Sequence, residues 1–185
     1  MRLTGAMYDE IEKAACDFLM RMELAFPVNP FDLCKQMGIK VERYSDASEE
    51  QRNVLLSASK DGLQVVLEVS EGVYQTVIYY NDQMPTERIR FTLMHEIAHI
   101  ILGHQQHSDL AESEANYFAR YVLAPPPIIH ESHINDFLDL AEMFKLSKEC
   151  AYNAMRSYFK WLRYGRRKKQ EYESALLSRF KPLLP

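Results

Sequence analysis

Cysteine is scarce in this chain of 185 residues. Cys16, Cys34 and Cys150 are scattered and odd in number, and no two have the close spacing of a zinc knuckle or a redox motif. Three reduced thiols in a cytoplasmic protein are therefore expected. Long apolar runs are missing too: none approaches the ~18 residues needed to span a bilayer, so no membrane partner is expected. Asp9, Glu10 and Glu12 interrupt any apolar run near the N-terminus, which excludes a signal-peptide pattern there. There is no internal repeat and no low-complexity segment, which argues against a disordered chain. An excess of positive charge is also lacking. The formal net charge is −4, which argues against a general nucleic-acid coat.

What is present is enough for a core. Hydrophobic residues make up 47% of a chain whose length suits one domain, or one domain with a small appendage. The charge is uneven. From Glu131 onward there are 11 Lys+Arg against 7 Asp+Glu, a net +4, which leaves −8 on the first 130 residues.

Helical spacing opens the chain: Met7, Ile11, Ala14, Ala15, Phe18 and Met22 follow a possible Thr4 cap, and the pattern runs to about Leu24. A short helix, "FDLCKQM", ends at Gly38. Three runs rich in β-branched and aromatic residues follow, "IKVERY" (39–44), "LQVVLEV" (63–69) and "QTVIYYN" (75–81), with Asp61-Gly62 and Glu71-Gly72 as turn signals. They predict a small, twisted, mostly antiparallel sheet, with "NVLLSAS" (53–59) as a possible further strand. Helical spacing returns after Pro85, with Thr86 as cap, and runs to about Leu102, with Gly103 just past the end. Asp109 can start another helix, which "APPP" stops after Leu123. Only helices are expected from Ile128 on, at 134–145, 147–163 and 167–180. The order predicts an α+β fold, with a domain over residues 1–127 and a helical extension over 128–185.

The stretch "FTLMHEIAHIILGH" (91–104) carries the chemistry. His95 and His99 are four residues apart, so on a helix both imidazoles lie on one face, one turn apart. Two nitrogens so placed can grip one Zn²⁺ at ~2.0–2.1 Å. Glu96 can reach a water at that metal without being a ligand and take its proton. Leu93, Met94, Ile97, Ala98, Ile100 and Ile101 are all uncharged, as suits a helix crossing under a cleft. A third ligand is needed, and the helix "ESEANYFARYVLAP" (112–125) offers Glu112 or Glu114. Glu112 shares its face with Ala115, Asn116 and Ala119, and small residues let two helices approach one ion. Glu114 shares its face with Phe118, Tyr121 and Val122. This favours Glu112, with Glu114 the competing choice, read as a solvated or surface-paired carboxylate. Asn116, one turn on, can orient a histidine. His104 and His107 either line the cleft or are ordinary loop histidines.

These two elements resemble the ImmA/IrrE-type zinc metallopeptidases. Arg90, Phe91 and Thr92 fit the family's lead-in, and His95, Glu96 and His99 its core. Glu112, Ala115, Asn116, Phe118, Ala119, Leu123 and Pro125 fit its second element. The resemblance is tight from about Tyr79 to Pro125. It implies a zincin-like fold, a His-His-Glu zinc site of the gluzincin kind, and Glu112 as ligand. It also implies a protein substrate, typically a helix-turn-helix DNA-binding repressor of a mobile element or stress circuit. Peptidases of this kind hold substrate as an added strand, so Tyr79, Tyr80 and Asn81 are expected to border the cleft, with His104 as a further substrate contact.

After the prolines, "INDFLDLAEMFKLSKECAYNAMRSYFKW" (134–161) can form a helical hairpin with an apolar seam. "RYGRRKK" (163–169) follows as a basic cluster. Direct nucleic-acid contact is not expected, because the second helix carries few base-reading polar residues. The sequence thus predicts a zinc endopeptidase. Two other readings stand beside it. One is a non-cleaving module that sequesters a repressor around a structural zinc, closed by a fourth ligand such as His104. The other is a small-peptide hydrolase with a deep closed pocket.

Overall fold

The Thr4 hydroxyl accepts from the Met7 N–H and starts helix α1 (Gly5–Arg21). The computed structural model describes residues 3–165 and 171–180. Asn29 caps α2 (Pro30–Gln36), where Pro30 takes the first position. Gly38, at φ +69°, then turns the chain into β1 (Lys40–Arg43).

The run 53–59, expected as a strand, lies in α3 (Glu49–Ala58) instead. Ser48 and Gln51 form a reciprocal capping box, and Glu49 and Glu50 sit in the first turn, where the helix dipole favours them. These start signals outweigh the strand-like composition that follows. Val54 and Leu56 stay exposed, so no buried face was available to hold that run as a strand.

Strands β2 (Gly62–Ser70) and β3 (Val73–Tyr80) form an antiparallel hairpin. The sheet order is β1-β3-β2, and β1 joins β3 in parallel. The pairing is therefore mixed: the long hairpin is antiparallel, as expected, while the crossover through α3 and β2 returns the chain alongside β1 in the same direction.

Helix α4 (Thr86–Ile101) packs under this sheet and against α5 (Asp109–Leu123), which Ser108 caps. Pro85 occupies the cap position of α4 and Thr86 is its first helical residue. The close approach of sheet and helix depends on Gly62. A Cβ there would lie 2.7 Å from Thr92 Cγ2 and 2.7 Å from the Tyr79 carbonyl oxygen.

α5 ends at Leu123, as the prolines require, yet Pro126 begins a short helix α6 (Pro126–Glu131) that the sequence pattern did not predict. Proline fits the first helical turn, where its missing N–H has no partner to lose. Then come α7 (Phe137–Phe144), α8 (Lys148–Lys160), a π-helical turn (Trp161–Gly165) and α9 (Glu171–Phe180). Leu140, Phe144, Ala151, Ala154, Met155 and Tyr158 are buried along the expected α7–α8 seam. Residues 166–169 of the basic cluster lie outside the described residues.

One buried cluster joins Phe18, Ile97, Phe118, Ile128, Phe144, Tyr158 and Phe180. Arg90 ties the same elements together. Its guanidinium donates to the carbonyls of Val28 at 2.7 Å, Lys145 at 3.1 Å and Phe144 at 3.3 Å. Among the described residues, no helix is long and apolar enough to cross a membrane, and all three cysteines are free and buried.

Candidate metal centre

Spacing of four on α4 places the rings of His95 and His99 with centroids 4.7 Å apart and their Nε2 atoms 3.0 Å apart. Glu112 comes from the first turn of α5. Its Oε2 lies 3.2 Å from His95 Nε2 and its Oε1 3.4 Å from His99 Nε2. These three residues form the cluster able to hold a metal among the described residues.

The triangle can be tested against zinc. Bonds of ~2.0–2.1 Å at tetrahedral angles separate neighbouring ligand atoms by about 3.3 Å. The observed edges of 3.0, 3.2 and 3.4 Å fit that size. The donor set fits as well. Burial holds the His99 pKa down to about 4 and lowers that of His95, with Glu112 opposing both shifts. Neutral imidazoles are the form that binds metal. Two imidazole nitrogens and a carboxylate oxygen packed this closely are reconciled by a cation among them.

Glu96 follows His95 but faces elsewhere. It is buried, and its Oε2 accepts from the Gln64 N–H at 3.1 Å. Burial pushes its pKa up to about 7. The Gln64 hydrogen bond opposes that rise, and Glu112 adds to it. The carboxylate is outside the ligand cluster yet lines the same cleft, so it can exchange a proton near neutral pH.

The cleft has a volume of about 570 Å³. Its walls are α4, the loop 104–107, Asn116 of α5, and the stretch from Ala58 to Gln64 that leads into β2. Asn116 lies one turn beyond Glu112, and its side chain supports the protonated form of His95. His95 Nδ1 is buried and has no hydrogen-bond partner. His107 is exposed at the mouth, with Nδ1 3.4 Å from Glu112 Oε1.

Three expected roles look different here. Tyr79, Tyr80 and Asn81 are not among the residues lining the cleft. β3 is the central strand with both edges paired, so it cannot accept another strand. Tyr80 is buried and packs edge-on against Phe31, while Asn81 Nδ2 donates to the Lys60 carbonyl and braces the loop before β2. The strand beside the cleft is β2. No spacing in the sequence relates Gln64 to Glu96, 32 residues away, and only the Asp61-Gly62 turn hinted that the chain bends there.

His104 lines the cleft, but both its nitrogens are engaged. Nδ1 contacts His99 Nδ1 at 2.9 Å, and Nε2 contacts Glu114 Oε2 at 3.1 Å. It stands behind His99, on the side away from the ligand triangle, so it does not close the site as a fourth ligand. Glu114 is not a solvated carboxylate; its side chain is 22% exposed and spent on His104.

A larger cavity of about 990 Å³ lies between α1, α5 and α8. Size does not single out the candidate site, because the cluster able to hold a metal sits in the smaller cleft.

Residues 34–156 match the model of a peptidase family described as the IrrE N-terminal-like domain. A comparison with curated proteins finds no match.

Proposed function

We propose, for a chain that belongs to the IrrE N-terminal-like peptidase family, the activity of a zinc-dependent endopeptidase. Family membership makes the substrate a protein. The observation that carries the finer reading is the His95–His99–Glu112 triangle of zinc-sized edges, with Glu96 held beside it and outside it.

His95, His99 and Glu112 would hold the ion, with two Nε2 atoms and a carboxylate as the donors. A bound zinc polarises a scissile carbonyl and acidifies water. Glu96 accepts the proton of the attacking water as its oxygen bonds to the carbonyl carbon, then delivers that proton to the departing amine as the C–N bond breaks. The Gln64 N–H holds Glu96 from above. β2 is an outer strand of the sheet and runs on from Gln64, so an extended substrate segment adds along its free edge. A cleft walled by a strand edge suits a chain passing through it better than a closed pocket for small peptides. The engagement of His104 behind His99 supports an open fourth position over a closed structural zinc.

The sequence resemblance supports a helix-turn-helix repressor as substrate. Three buried thiols, with Cys16 and Cys34 pushed up to about 12 by burial, suit a reducing cytoplasm. The test pairs metal content with cleavage of a helix-turn-helix protein encoded beside this one, read by intact mass. The wild type should cut it, a chelator should stop the cut, and Glu96→Gln should keep one zinc and leave the substrate whole. Undiminished cleavage by Glu96→Gln would remove the general-base role.

A further inference from the structure

We propose that Glu114 and His104 are positioning residues: a carboxylate–imidazole relay behind His99 that fixes the tautomer and the aim of that one ligand. This deepens the metal-centre reading and rests on it.

The relay follows from how α4 ends. Leu102 caps the helix and Gly103 takes φ +70°. The Gly103 N–H donates to the Ile100 carbonyl at 3.2 Å and the His104 N–H to the His99 carbonyl at 3.0 Å. These two bonds are the Schellman closure, and it needs a residue free to adopt positive φ at the position of Gly103. The closure folds His104 back over the last turn, where its Nδ1 meets His99 Nδ1 at 2.9 Å. The same pair of residues is therefore joined twice, once by backbone and once by side chain.

α5 completes the arrangement. Glu112 and Glu114 are two residues apart, so they leave the helix on different sides. Glu112 turns to the Nε2 atoms of His95 and His99, and Glu114 to Nε2 of His104. The side chains of His99 and His104 are 7% and 12% exposed, so solvent does little to replace these bonds.

For a neutral His104, proton placement has one consistent solution. A carboxylate accepts and cannot donate, so the His104 Nε2 carries the hydrogen that Glu114 receives. A neutral His104 therefore offers a bare Nδ1. His99 Nδ1 must supply the hydrogen between the rings, which leaves His99 Nε2 bare. Bare Nε2 is the atom that faces His95 and Glu112. The other tautomer of His99 would point a hydrogen into the ligand triangle. No second imidazole stands behind His95: its Nδ1 is buried without a hydrogen-bond partner, and the polar side chain that acts on this ring is the Asn116 amide. The two ligand histidines are thus held differently: His99 is backed by an imidazole and a carboxylate, His95 by neither.

The test uses the whole 185-residue chain in two measurements. Imidazole ¹⁵N NMR of the metal-free wild type should show His99 protonated at Nδ1 and His104 at Nε2. Zinc affinity by competition with a chelator should fall about 10–100-fold in His104→Ala and in Glu114→Ala, the range for outer partners of a ligand histidine. His104→Asn should regain most of it, because the asparagine Oδ1 stands where Nδ1 stood and accepts the same hydrogen. Thermal unfolding checks that each variant is folded, and the wild-type spectrum stands even if an alanine variant is not. His99 protonated at Nε2, or His104→Ala binding zinc as tightly as wild type, would overturn the relay alone. Wild-type protein that takes up no zinc would instead overturn the metal centre on which the relay rests.

Discussion

Helix α5 borders two groups of carboxylates, one near its start and one further along, and the two differ in their partners. Near its start, Glu112 meets two imidazoles, and the group opens on a cleft. Further along, Tyr117 donates to Glu12 at 2.5 Å, and Trp161 Nε1 donates to Glu173 at 2.6 Å. There the carboxylates meet neutral donors. Burial pushes the Glu12 pKa up to about 7, with the Tyr117 bond opposing and Glu173 and Asp9 adding to the rise. The lesson lies in the partner. A buried acid met by hydroxyl and indole donors tends to neutralise itself with a proton, and it acts on stability. A half-exposed acid met by imidazole nitrogens at the mouth of a cleft leaves room for a cation, and it acts on chemistry.

The sharpest way to break the contrast is to remove the acid at the metal end. Glu112→Ala should weaken zinc binding by more than about 100-fold, beyond the range for an outer partner. The fold should persist, because Glu112 is half exposed while Phe118 and Val122 stay buried. Chelator competition and circular dichroism on one sample would read both. Unchanged affinity would mean that Glu112 is no ligand.

Gly62→Ala attacks the frame rather than the ligands. A methyl group 2.7 Å from Thr92 Cγ2 forces β2 off α4, and overpacking of this kind costs about 1–3 kcal/mol. The shift moves Gln64 from Glu96, so kcat should fall while zinc content holds. Denaturant unfolding and steady-state kinetics would check both parts, and an unaltered rate would show that Gln64 does not hold the base.

Glu12→Gln probes the other end. Its pKa near 7 in the fold lies above the ordinary value of 4.5, so the native state binds the extra proton between these values. That contribution is complete below about pH 4.5 and is lost as pH rises through 7. Glutamine keeps an acceptor for Tyr117 and cannot ionise. Relative to wild type, the variant should gain on the order of 2 kcal/mol between pH 5 and pH 8. Zinc affinity should not follow. A stability difference that is flat with pH would refute the assignment.

The smallest effect is expected at the surface. Arg88 pairs with Asp61 through two bonds of 2.6 and 2.8 Å, with the Arg88 side chain 55% exposed. Arg88→Ala should cost no more than about 1 kcal/mol in thermal unfolding, and less at high salt.

The sequence disclosed the meeting of His95, His99 and Glu112 far better than the frame around it. His95, Glu96 and His99 are neighbours in the chain, so helical geometry alone brings the two rings together. Glu112 was separable from Glu114 by the small residues on its face, and the structure turns the two carboxylates to different partners. Local end signals at Thr4, Gly38 and Gly103 also read correctly. Errors arose where long-range pairing decides. The place of β3 inside the sheet, which keeps Tyr79 to Asn81 from the cleft, depends on β1 pairing in parallel across 37 residues. In α3, apolar residues near the end looked strand-like, while the capping box at its start settled the outcome. The partner of His104 lies on another helix, and nothing in the local pattern points to it.

The central claim is that two imidazoles and one carboxylate hold a single zinc and leave a position open to the cleft. Diffraction from zinc-loaded crystals at the zinc absorption edge tests it most directly. The account predicts one anomalous peak, ~2.0–2.2 Å from His95 Nε2, His99 Nε2 and a Glu112 oxygen, with the remaining position facing the β2 edge. A peak elsewhere, or one enclosed by four protein ligands, would contradict it.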